Sequence, residues 1–206
     1  MTMAQRERRS LAAAMTEIGP DARTLCGDWT VRDLAAHLVV RERRPDAAPG
    51  ILVPAFAGYL DRVQAKVVRQ PFEELVELVR TGPPWWSPLR PVDAVANLTE
   101  MFVHHEDVRR AGSGWEPREL TDADQEHLWR ALGRAARLAY RKSPVGVVLV
   151  DPRGRRLTAR GGEPEVVLTG APAELLLHAF GRDEVRIEAD GDPEAVAAVL
   201  SSDRSF

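Results

Sequence analysis

The chain carries five histidines and a single cysteine, and one stretch sets imidazole and carboxylate groups at regular spacing. Asp93, Asn97, Glu100, His104 and Asp107 follow one another at intervals of four, three, four and three residues. At about 100° per residue these five fall on one stripe of a helix, with Val95, Leu98 and Phe102 on the other side. The stripe has two readings. It is either the solvated face of an amphipathic helix, with Glu100 and His104 as a simple i,i+4 pair, or it faces the interior of a bundle. In the second case Glu100 and His104, one turn apart, can point at a single ion, because bundle metal sites draw carboxylate and imidazole ligands from facing helices.

A third ligand must then come from another helix, and His37 is the natural choice. It sits about two turns into a helix that starts at Thr30, bordering the Leu34/Leu38 face, where a histidine can equally be a satisfied core residue. Two imidazoles and one carboxylate leave a coordination position open, which is the catalytic type of site. Nitrogen and oxygen donors of this kind admit zinc, nickel, cobalt or iron. Asp107, one turn beyond His104, is either a surface carboxylate or the acceptor that orients a ligand imidazole. His105 points roughly 100° away from His104, and His127 and His178 read as surface or packing residues. Cys26 is a candidate nucleophile only if its surroundings lower its pKa; since no histidine adjoins it in sequence, it reads instead as a small buried residue before the Trp29 turn.

These side chains need elements to hold them. Helices are expected over 3–18, from Thr30 onward, over 52–69, 71–81, 92–111 and 121–141, each from apolar residues at helical spacing. Thr30 with Asp33, and Thr121 with Asp124, look like capping boxes. GPPWWSPLRP (82–91) has four prolines and cannot be a regular helix. Its paired Trp85 and Trp86 read either as a cover over the core edge or as a wall of a substrate pocket. After Ser143-Pro144 the period changes. VGVVLV (145–150), RRLTAR (155–160), EVVLTG (165–170) and EVRIEAD (184–190) read as strands, with helices over 172–180 and 193–201. The fold class is therefore α+β, with a helical bundle over 1–142 and a small α+β domain over 143–206.

Composition narrows the function. With 206 residues, 29% charged and 44% hydrophobic, the chain is ordinary globular material that needs no disulfide staples. A net charge of -3 argues against a nucleic-acid surface. Cys26 has no partner for an intrachain disulfide or a multi-cysteine zinc site. No apolar run approaches the roughly 20 residues of a membrane span, and MTMAQRERRS lacks the apolar core of a signal peptide. A soluble, cytoplasmic protein without nucleic-acid or membrane partners is expected.

Three motifs resemble one family. LCGDWTVRDLAAHL (25–38) is similar to the second-helix motif of the DinB-like metal-binding four-helix bundles, and most similar to that of the mycothiol-dependent maleylpyruvate isomerase family of actinobacteria. NLTEMFVHHEDVRRAG (97–112) resembles that family's second metal motif, and GAPAELLLHAFGR (170–182) resembles the signature of its C-terminal domain. VVRERRPDAAPG and FVHHEDVRRAG resemble more closely a subgroup described only as metal-binding. The resemblance places the metal ligands on His37, Glu100 and His104 and an arginine implicated in activity on Arg182. It implies zinc as the usual metal and mycothiol as a low-molecular-weight thiol cosubstrate. A basic complement of 28 residues with only Lys66 and Lys142 as lysines fits an actinobacterial origin.

Three functions follow as expectations. One is a metalloenzyme whose thiol attacks a small electrophile, for isomerisation or thiol transfer, with Arg182 holding a carboxylate. A non-catalytic metal-binding or sensor protein is another. The third is a metal-dependent hydrolase, for which Glu106 or Asp107 would serve as base.

Overall fold

The computed structural model describes residues 1–47, 57–87 and 93–204, and only the backbone of 93–96. Described elements comprise eight helices and one four-stranded sheet, an α+β fold. The chain divides into two compact units, Met1–Trp115 and Glu116–Phe206.

The first unit is helical. Its described helices are α1 (Met3–Ile18), α2 (Val31–Arg43), α3 (Ala57–Val67), α4 (Phe72–Thr81) and α5 (Asp93–Arg110). Local chemistry sets the ends. Thr2 and Thr30 each complete a capping box, with Gln5 and Asp33 at the third helical position. Gly19 stops α1 at φ 91°, a conformation that disfavours any side chain. Helix α1 packs on α5 and α4, and α2 packs on α4 and α3. Leu11, Met15, Leu34, Leu38, Leu75, Val79 and Met101 are fully withdrawn from water between them. Arg8 crosses this core. It donates to Glu42 Oε2 at 2.9 Å and to Val79 O at 2.9 Å, tying α1 to α2 and α4 through a buried ion pair.

The second unit contains α6 (Asp122–Ala139), β1 (Gly146–Val150), β2 (Arg156–Arg160), β3 (Glu165–Gly170), α7 (Pro172–Ala179), β4 (Ile187–Asp190) and α8 (Pro193–Leu200). The sheet order is β2-β1-β3-β4, with β1 and β3 parallel and both outer pairs antiparallel. Central β1 is buried almost throughout, as its β-branched run predicts.

Three expectations are corrected. The domain boundary falls between Trp115 and Glu116 rather than near residue 142. Helix α6 packs on α7 and β2, and Gln125 Oε1 accepts from the Ala173 amide at 3.1 Å, so this helix belongs to the sheet and not to the bundle. The last strand begins at Ile187 rather than residue 184. Its lead-in is taken up elsewhere, because the Arg186 amide donates to Glu174 Oε2 on α7 at 2.8 Å. Trp85 is 85% exposed, so it does not cover the core edge, while Trp86 keeps half of its surface in water. Residues 52–56 of the helix expected over 52–69 lie outside the described residues, as do 48–51, 88–92 and the side chains of residues 93–96.

Candidate metal centre

Helix α5 settles the question its sequence left open. Asn97 and Asp107 are fully buried, and Glu100 and His104 are mostly so, which places the polar stripe inside the helical unit. Leu98, Met101, Phe102, Val103 and Val108 are buried as well, so over residues 97–110 this helix has almost no solvated face.

His37 on α2 and the Glu100/His104 pair on α5 converge. Glu100 Oε1 lies 3.6 Å from His37 Nε2 and 3.3 Å from His104 Nε2. The two imidazoles meet edge to face, with ring centroids 5.8 Å apart. Each of the three offers a donor atom within 4.8 Å of the other two. Trp29, in the turn that leads to the Thr30 cap, lies against His37 with its ring centroid 5.0 Å away.

Behind His104 stands a second layer. Nδ1 of His104 is 2.9 Å from Asp107 Oδ2, which fixes the ring and turns Nε2 toward Glu100. The Cys26 thiol donates to the same Asp107 oxygen at 3.0 Å and lies 3.6 Å from His104 Nδ1. Cys26 is delivered there by a tightly bonded loop. Thr24 Oγ1 donates to Trp29 O and accepts from the Cys26 amide, while the Leu25 amide donates to Asp107 O at 3.1 Å. Arg41, one turn after His37, brings Nε within 3.3 Å of Glu100 Oε1 and donates from Nη1 to Asn97 Oδ1.

The electrostatics follow from these partners. Burial alone would raise the Glu100 carboxyl, but hydrogen bonds from His104 and His37 and the charges of His104 and Arg41 hold it well below the ordinary range. Burial disfavours a charged His104. Hydrogen bonds to Asp107, Cys26 and Glu100 outweigh it and raise the imidazole well above the usual histidine value. His104 thus sits between two carboxylates, Glu100 and Asp107, that favour its charged form. Two Nε2 donors and a carboxylate form a donor set suited to a borderline divalent ion, with zinc the common choice.

The remaining sequence candidates separate from this cluster. His105 Nδ1 pairs with Glu7 Oε2 of α1 at 2.9 Å. Glu106 is held by Arg109 at 2.9 Å and Arg110 at 2.6 Å. Arg182 is half-buried just after α7 in the second unit, where Nη1 donates to Phe180 O. His127 is exposed, and His178 is buried against Tyr140. Sequence reasoning missed two participants. Arg41 was detectable, because a residue four after His37 shares its helix face. The contact of Cys26 with α5 spans 81 residues and has no local signature.

Comparison with known proteins adds a family. Residues 2–82 match the mycothiol maleylpyruvate isomerase N-terminal domain, the family its motifs resemble; the matched stretch contains His37 and ends before Glu100, His104 and Arg182. A crystal structure of the mycothiol-dependent maleylpyruvate isomerase aligns over 91% of this chain and 90% of its own, at 14% identity and a TM-score of 0.48. No curated protein matches the sequence. No described helix is long and apolar enough to cross a membrane.

Proposed function

We propose, from the match of residues 2–82 to that N-terminal domain and from the cluster on α2 and α5, that the chain is a metal-dependent enzyme. In this reading it uses a low-molecular-weight thiol such as mycothiol to isomerise, or transfer the thiol to, a small electrophile. The observation that carries it is the convergence of His37, Glu100 and His104 from two helices into one donor set. When bound there, a divalent ion such as zinc would supply positive charge that favours ionisation of a thiol near neutral pH.

The chain's own groups have distinct tasks. His37 and His104 would hold the ion through Nε2, and Glu100 would supply the anionic ligand. Asp107 accepts from His104 Nδ1–H and keeps the other nitrogen available. Trp29 holds the His37 ring in place from one side. Arg182 is assigned to a substrate carboxylate, for which a guanidinium fork is effective. A hydrolase is less well supported, because both carboxylates considered as bases are engaged: Asp107 with His104 and Glu106 with Arg109 and Arg110.

Elemental analysis and mycothiol titration of the purified protein test this function. The expected result is bound zinc together with saturable, metal-dependent thiol binding. Zinc without any thiol affinity would leave a metal-binding protein and remove the proposed chemistry.

A further inference from the structure

Arg41 adds a positive charge that the three-ligand set does not use. Its guanidinium is 19% exposed in the side chain and reaches Glu100 Oε1 at 3.3 Å. Among the described residues Glu100 is its ion-pair partner. Neighbouring acids are already committed: Glu42 to Arg8 at 2.9 Å, and Asp107 to His104 at 2.9 Å. The Arg41 head is anchored through Nη1 on the buried Asn97, so it cannot swing freely into solvent.

Arg41 and Glu100 balance one another as long as Glu100 is not given to a metal. A divalent cation on two neutral imidazoles would be neutralised by Glu100 and the adjoining Asp107, and Arg41 then leaves one uncompensated positive charge beside it. An uncompensated charge in a half-buried site is costly, and an anion relieves it. We infer that Arg41 is a carboxylate-recognition residue of this centre: once Glu100 serves the metal, the guanidinium holds a carboxylate of the small substrate next to it. The inference rests on the metal reading above and names the residue beside the metal ligands that recognises the carboxylate. It assigns this role to a residue in the same compact unit as the ligands, independently of Arg182. A guanidinium suits the task because its planar fork matches a carboxylate and stays charged at any working pH.

The test uses succinate as probe and uncharged succinamide as control, titrated by calorimetry into zinc-loaded and zinc-free full-length protein, with zinc measured on each sample. Wild type should bind succinate, prefer it to succinamide, and bind it more weakly without zinc. Arg41→Gln should retain its zinc and lose roughly tenfold or more in succinate affinity, the size of a lost charge-assisted pair. Arg41→Lys should fall between the two. A zinc-loaded Arg41→Gln protein that binds succinate like wild type overturns the inference and leaves the metal reading intact, as does zinc-loaded wild type with no succinate affinity. Wild type that takes up no zinc overturns both. Should Arg41→Gln lose its fold by circular dichroism, Arg41→Lys decides, and wild-type succinate affinity in that variant overturns the inference.

Discussion

His104 in the helical unit and His178 in the sheet-containing unit are both largely withdrawn from water, yet their surroundings drive them in opposite directions. His104 meets Asp107, Cys26 and Glu100, and their hydrogen bonds overcome the desolvation that opposes its charge. His178 stacks on Tyr140, whose hydroxyl lies 2.6 Å from its Nδ1. Burial first, and then the charge of Arg204, push its pKa down to about 3. Desolvation is common to both; the partners decide the sign. A histidine between carboxylates is held toward its charged form, whereas one against a phenol and a guanidinium is held neutral. The same contrast separates the two units. The first gathers imidazoles and carboxylates at one point, and the second spends Asp151 on a turn, where it accepts from the Arg153 and Arg155 amides.

The largest effects are expected at the ligands. His37→Ala, Glu100→Ala and His104→Ala should each bring bound metal well below one ion per chain. His178→Ala should leave metal content unchanged, and a loss there would erase the distinction between the two histidines. Asp107→Ala should act next most strongly. It leaves His104 present but unoriented, so metal affinity should drop by about 10- to 100-fold. A chelator competition assay reads this directly, and an unchanged affinity would make Asp107 a bystander.

Acid sensitivity sharpens the comparison further. His178 has a folded pKa below its unfolded value, so its neutral form contributes stability that is intact above about pH 6.5 and is lost as the pH falls toward 3. Between pH 7 and pH 4.5 that amounts to about 2–3 kcal/mol. His178→Phe cannot charge and should flatten the wild-type slope by that amount in denaturant titrations. His104 has the opposite sign. Its raised folded pKa makes its contribution to the metal-free protein fully present below the unfolded value and lost as the pH rises through the folded one. The smallest effect on metal is expected for His105→Ala, which breaks the Glu7 pair but should keep a full metal complement. Metal loss in that variant would mean that the wrong member of the His104-His105 pair has been assigned.

Much of this was legible because it is local. The Thr30/Asp33 capping box set where α2 starts and therefore where His37 sits, and the spacing from Asn97 to Asp107 set one stripe on α5. The direction of that stripe was not legible. Over residues 97–110 helix α5 is buried nearly all round, so hydrophobic periodicity had no solvated side to contrast there. The boundary near residue 142 failed for a related reason. A change of period marks where strands begin, but the apolar stripe of α6 does not say whether it packs on helices or on a sheet. Cys26 joined the site through contacts far apart in sequence, which no local pattern encodes.

The central claim is that His37, Glu100 and His104 together hold one divalent cation. Metal stoichiometry of the purified wild type beside its three alanine variants tests it most directly. About one ion per chain in wild type, and a clear loss in each variant, is the predicted result. A metal-free wild type, or variants that all retain the wild-type complement, would contradict it.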